Sequence, residues 1–248
     1  MKEIGIKVER QSPVRLPGEP EKTIVREHWP VVLKYIDEGP GPWIVDLSHC
    51  VRWDIQGRDL AAAMPAGVFV PDAHGSVALH AQGLTGRTGQ RQAFLWLFDE
   101  QAEAPSGPDC TEITEGSLCL ALLGRDVFRI TEKLTNLDLC DPTRRPPFLV
   151  LGPFCHITCQ IVVLQSDPAD GAVLVACSRG FGHDLLHAVL AAGAEFGLRP
   201  AGENRFLETL RSGVVAPTPA KPKAAMRRTA AADKPKSSGR SRSKKKGS

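Results

Sequence analysis

Leu120-Ala-Leu-Leu-Gly124-Arg125-Asp126-Val127 is an apolar run, then Gly-Arg-Asp, then a helix-forming stretch that the pattern carries to about Leu134. An earlier string, Trp53-Asp-Ile-Gln-Gly57-Arg58-Asp59-Leu60, has the same order, with a short helix expected through Ala63. A strand–Gly-Arg-Asp–helix unit used twice predicts a pseudo-duplicated α+β core.

The surrounding segments extend that reading. Trp43–Leu47, Val51–Ile55, Val68–Val70, Val77–His80, Ala93–Phe98, Ser117–Leu123 and Ala172–Ser178 are rich in β-branched and aromatic residues and predict strands. Phe154–Leu164 alternates, with Cys155, Ile157, Cys159 and Ile161 on one face. Glu21–Asp37 predicts a helix that Pro30 kinks or delays. Gln82–Gln92 predicts a mobile Gly/Arg/Thr/Gln hairpin loop, and Glu100–Asp109 a linker within the domain. Phe181–Phe196 carries the clearest helical stripe, with Gly197 as its stop.

Composition divides the chain. Residues 213–248 hold eleven Lys/Arg and one acid, Asp233, a net of +10, while residues 1–212 hold 20 Lys/Arg and 27 Asp/Glu, a net of −7. The expected organisation is an extended arm over 1–20, a folded domain over 21–212, and a disordered basic tail over 213–248, which has too little apolar area to fold. The tail is a candidate for weak electrostatic contact with nucleic acid or an acidic protein, or a solubilising tether; without aromatic residues it cannot stack bases. The seven cysteines are odd in number and irregularly spaced, which fits buried thiols in a reducing compartment. Met1–Arg10 is charged and no apolar run approaches ~18 residues, so a cytoplasmic protein without a membrane span is expected.

Several local patterns carry candidate chemistry. Asp46, Ser48 and His49 hold the residue types of a nucleophile–base set, but adjacent strand residues face opposite ways, so a structural or pocket-lining role is expected. His183 and His187 share a helix face at metal-holding spacing without an evident third ligand. Cys155-His156-x-x-Cys159 splits its ligands across two faces. No metal site is expected. The glycines at 83, 86 and 89 match neither a phosphate loop nor a dinucleotide site, so this chain is expected to hold neither flavin nor NAD; Arg87 and Arg91 there are candidates for meeting an acidic partner surface.

Three segments resemble one family in order. Gly41-Pro-Trp-Ile-Val-Asp46-Leu-Ser48-His49 followed by Gly57-Arg-Asp resembles the opening of the glycine-cleavage T-protein, or aminomethyltransferase, folate-binding domain. Thr114–Asp126 with Lys133-Leu-Thr-Asn-Leu-Asp138-Leu is similar to its central stretch. Gly171–Val175, the following helix and Gly197-Leu-Arg199-Pro-Ala-Gly202 resemble its strand–helix–Gly-Leu-x-Pro-x-Gly ending. In size and layout the chain is most similar to the gamma subunit of heterotetrameric sarcosine oxidase. The resemblance implies folate-linked one-carbon metabolism, partners that are other subunits of a demethylating or oxidising complex, and tetrahydrofolate as a possible cofactor. It also implies Glu195 and Glu208 as candidate acceptors for a pterin's N–H groups. The family's catalytic Asn-Asp pair is replaced by Ala61-Ala-Ala-Met-Pro-Ala-Gly67, and after Gly202 the match decays into Glu203-Asn-Arg-Phe-Leu-Glu208, so catalytic residues stay unassigned. The expectation is an accessory subunit that is not catalytic alone. The alternatives are a self-sufficient folate-dependent aminomethyl or methyl transferase, or an interaction module recruited through its basic tail.

Overall fold

The computed structural model describes residues 9–212. Its strands are β1 (Pro20–Arg26), β2 (Trp29–Tyr35), β3 (Trp43–Asp46), β4 (Arg52–Gln56), β5 (Val77–His80), β6 (Gly83–Gly89), β7 (Gln92–Leu97), β8 (Cys110–Glu112), β9 (Ser117–Gly124), β10 (Phe148–Phe154), β11 (Ile157–Gln165), β12 (Gly171–Ser178) and β13 (Arg199–Ala201). The helices are α1 (Val127–Thr131), α2 (Gly182–Gly193) and α3 (Glu203–Arg211). The result is a sheet-dominated α+β fold with little helix.

A six-stranded sheet, β10-β11-β12-β9-β3-β13, lies against a five-stranded sheet, β5-β6-β7-β4-β8. β-strand alternation sorts the core into layers. On β9, Cys119, Ala121 and Leu123 face the second sheet and meet Phe94, Trp96 and Leu84. Leu118, Leu120 and Leu122 face the other way, toward Leu185, Leu186 and Val189 of α2. The outer face of the five-stranded sheet, with Ile55, Ala93 and Leu95, is covered by Leu60 and Ala63 from the following loop.

Six expectations need correction. Glu21–Asp37 is a β-hairpin, not a helix. Glu27 and His28 form its two-residue turn with φ of 45° and 72°, the conformation that such turns demand and that Asn-Gly usually supplies. Trp29, Val31 and Tyr35 are buried, which makes the alternation of β2 decisive over any helical stripe. The first Gly-Arg-Asp unit makes only a turn: Asp59 Oδ1 accepts the Ala62 N–H at 3.2 Å, but Pro65 lacks the N–H a second turn would need. The second unit does open a helix, ending at Thr131 and not Leu134.

Gln82–Gln92 contains β6, a paired strand. Its glycines mark close packing: a Cβ at Gly86 would lie 2.3 Å from the Phe94 ring. Val68–Val70 forms no strand; it is held by side chains, as where Thr85 Oγ1 donates to Phe69 O at 2.7 Å. Phe154–Leu164 is interrupted by a turn at Cys155-His156, with φ of 53° and 64°, so Cys155 and His156 do not belong to the alternating strand β11, whereas Ile157, Cys159 and Ile161 do share its buried face. Phe181–Phe196 is helical through α2 with short 3-10 turns on either side, and Gly197 ends it at φ 71°.

No described helix is long and apolar enough to cross a membrane. The basic tail lies outside the described residues.

Candidate functional site

The segment that carries the first motif turns sharply after β3. Asp46 Oδ1 accepts the Ser48 N–H at 2.9 Å, and Ser48, fully buried, accepts the Cys119 N–H on Oγ at 3.3 Å. Ser48 is thus spent on anchoring the turn to β9. The turn aims His49 at Glu203, the first residue of α3. His49 Nε2 lies 2.8 Å from Glu203 Oε1 and 3.6 Å from Cys50 Sγ. Arg26, at the end of β1, donates from Nη1 to Glu203 Oε1 at 2.6 Å and from Nη2 to Oε2 at 2.9 Å. Its Nε lies 2.5 Å from Glu100 Oε1 but is not aligned for a hydrogen bond.

The backbone brings these residues together. α3 starts at Gly202, where a Cβ would come within 2.2 Å of Leu33 C and O; only glycine lets the helix start abut β2. Glu38 reinforces the joint, accepting the Tyr35 N–H at 3.0 Å and the Gly202 N–H at 2.9 Å, with Arg205 Nη2 at 3.3 Å. Phe206 then inserts into the inter-sheet core, edge-on to Phe98 at 4.9 Å between centroids.

The electrostatics follow from burial plus pairing. Burial alone would raise the Glu203 pKa, but hydrogen bonds from His49 and Arg26 pull it down to about 2. Burial alone would lower the His49 pKa, but the Cys50 sulfur and Glu203 outweigh it and hold the imidazole up to about 10. Around neutral pH the cluster is therefore an anion between two cations.

Its chemistry is limited by this arrangement. A Cys–His–Glu relay needs the two imidazole nitrogens on different partners; here Nε2 meets both the thiol and the carboxylate. His49, Cys50 and Glu203 do place three ligand-type atoms within 4.8 Å of one another. The Arg26 guanidinium on the same carboxylate opposes a dication there, and structural zinc sites use four ligands. The cluster works as an ionic latch joining the hairpin, the β3–β4 turn and α3.

Two cavities lie near these residues. The first, about 480 Å³, is bordered by Leu16, Val31, Tyr35, Asp46 and His49, with Arg15 at its edge. Asp46 is half-buried and has no ion-pair partner among the described residues. Burial, with Asp46 and Glu38 nearby, raises the Tyr35 phenol to about 12. The second cavity, about 600 Å³, opens beyond the strand ends between the sheets, against Trp96, Leu151, Gln160 and Ala176, with Arg52 and Glu112 in its wall.

The residues singled out from sequence lie elsewhere. Glu195 is exposed beyond α2 and pairs with Lys133. Glu208 is exposed on α3, 3.2 Å from Arg205 Nη1. They share no partner and border neither cavity. His183 and His187 are exposed on α2. Arg87 is tied inward, donating to Pro71 O at 2.7 Å and Gln90 O at 2.8 Å, whereas Arg91 is exposed. Sequence reasoning missed Glu203 and Arg26. For Glu203 a signal existed: Gly202 followed by Phe206, Leu207 and Leu210 spells a short amphipathic helix with an acid in its first turn. Arg26 was hidden by the helical reading of the hairpin.

No family model matches the sequence, and no curated protein matches it. Among solved structures, a chain of heterotetrameric sarcosine oxidase from Corynebacterium sp. U-96, in complex with pyrrole 2-carboxylate, is similar with a TM-score of 0.50 and 15% identity, over 62% of this chain and 84% of that one. By that likeness the chain has the fold of a chain of heterotetrameric sarcosine oxidase.

Proposed function

We propose that this chain is an accessory subunit of a multi-chain oxidising or demethylating complex, acting in folate-linked one-carbon metabolism on N-methyl or related groups, and inactive in turnover on its own. The observation that carries the reading is the fold likeness, which runs over 84% of a chain from a heterotetrameric oxidase. The site geometry supports it: Glu203, His49 and Arg26 hold one another. Under this reading the partners are the other subunits of the complex. Purified alone, the chain is expected to show no methyl transfer and no oxidation of sarcosine. Turnover by the single chain, lost in Glu195→Ala or Glu208→Ala, would overturn the proposal.

A second reading, a self-sufficient folate-dependent transferase, is favoured by one feature. The 480 Å³ cavity, with the Asp46 carboxylate in its wall and no ion pair to it among the described residues, has the size and polarity of a small-molecule site. Calorimetry with tetrahydrofolate separates the two. The subunit reading expects weak or no binding by the isolated chain; micromolar or tighter binding favours the transferase. A ligand at ~100 times its Kd stabilises a fold by about 2.7 kcal/mol, so a thermal shift provides a second readout. If folate does bind, Glu195 and Glu208 remain the proposed pterin acceptors. Contact with nucleic acid or an acidic protein is assigned to residues 213–248, and is expected to weaken steeply with salt and to vanish on their removal.

A further inference from the structure

The most closely matched pair of reactive side chains outside the latch is Cys159 and Cys177. β11 and β12 are antiparallel neighbours, and their ladder reaches Gln160 opposite Ala176. One residue further along, Cys159 stands opposite Cys177. Both side chains point to the same face of the six-stranded sheet, toward α1 and α2, and both are buried, 2% and 8% exposed. The two sulfurs perturb one another, Cys159 upward and Cys177 downward, and the Cys177 thiol donates to Ser178 O at 3.4 Å. Antiparallel cross-strand residues have Cα atoms about 4.5 or about 5.5 Å apart. Either spacing falls inside the ~4.4–6.8 Å span that a disulfide bridges.

We propose that Cys159 and Cys177 form a cross-strand dithiol site that closes to a disulfide under a peroxide and reopens with a thiol reductant.

Position makes the two sulfurs unequal. Cys177 is the more exposed, and it lies next to the end of β12, where local opening requires the least unfolding. The neighbouring Cys159 thiol lowers the Cys177 pKa against the effect of burial, while Cys159 is raised by Cys177 and by burial. Cys177 is therefore the attacking sulfur. Its thiolate attacks one peroxide oxygen, the O–O bond breaks, and a sulfenic acid and one water result. Cys159, losing its proton, attacks that sulfur; the S–O bond breaks and a second water leaves. In balance, two thiols and one hydrogen peroxide give one disulfide and two waters. Of the other thiols, Cys119 is wholly buried, and burial pushes it up to about 12, while Cys140 is exposed and Cys155 sits in the β10–β11 turn.

The test uses the full chain, reduced and then treated with a slight excess of hydrogen peroxide, digested without reduction and mapped by mass spectrometry. A single Cys159–Cys177 cross-link, two hydrogens lighter than the free peptides and reversed by dithiothreitol, is expected. The oxidised protein should melt roughly 5 °C or more above the reduced form, because the cross-link closes a loop in the unfolded chain. Cys155→Ser should leave the cross-link intact and Cys177→Ser should abolish it. Should Cys177→Ser fail to fold, the wild-type map decides alone. Sulfinic or sulfonic acid at Cys177 without a cross-link, or a disulfide through Cys155, would overturn the proposal.

Discussion

Arg52 and Glu203 are both 1% exposed, yet the molecule holds their charges in opposite ways. Arg52 is surrounded by neutral acceptors. Its Nε donates to Ser117 Oγ, and Nη1 and Nη2 reach the carbonyls of Leu47, Cys50, Ser48, Thr114 and Ser117 at 2.9 to 3.1 Å. No carboxylate takes part. Glu203 instead recruits two cations, His49 and Arg26. The first arrangement spreads one charge over backbone dipoles and welds the β3–β4 turn to the segment entering β9. The second joins three parts of the chain through groups that titrate. The second is bounded by pH on both sides.

The contrast predicts a graded series, read as urea midpoints. Arg52→Met should be the most damaging change, costing about 4 kcal/mol, because it strands a ring of buried acceptors at once. Glu203→Gln should cost about 3 kcal/mol by leaving the buried His49 ring and the half-buried Arg26 against a neutral amide. Equal losses would show that dipoles and counter-ions hold a buried charge equally well here; the reverse order would make the latch the true keystone.

A pH series sharpens the same contrast. Glu203 is depressed from 4.5 to about 2, so its contribution is present above pH 4.5 and lost as pH falls toward 2. His49 is raised from 6.5 to about 10, so its contribution is complete below pH 6.5 and lost as pH rises toward 10. Stability should therefore decline across both windows, and Glu203→Gln should remove the acid decline and reduce the alkaline one, which Cys50 also sets. Arg52→Met should lower the whole curve and leave its shape. A wild-type curve flat between pH 6.5 and 10 would mean that His49 is neutral in the fold.

The smallest effects belong to the surface. Glu195→Ala and Glu208→Ala each remove an exposed ion pair, with Lys133 and with Arg205, and should shift stability by less than about 1 kcal/mol. A larger loss in either variant would reveal contacts beyond these pairs.

The sequence was readable wherever a residue's periodicity reflects burial against one neighbour. β5 was expected and found over Val77–His80, and β12 within one residue of its start. Reading failed where a turn used unusual residues, at Glu27-His28 and Cys155-His156, because positive φ on non-glycine residues leaves no sequence mark. It failed at β6 because glycines that make room for Phe94 and Trp96 look like loop glycines until those partners are known. The site was half legible: Asp46, Ser48 and His49 stood out, but Glu203 lies 154 residues from His49, and nothing local announces that pairing.

The central claim is that this fold serves as one subunit of a larger assembly. Native mass spectrometry of the full chain, purified from its own cells without dissociation, tests it most directly when sarcosine-dependent oxygen uptake is assayed on the same fraction. The account predicts a defined hetero-oligomer that oxidises an N-methylamine, with activity absent from the separated chain. A chain found alone that turns over substrate by itself would contradict it.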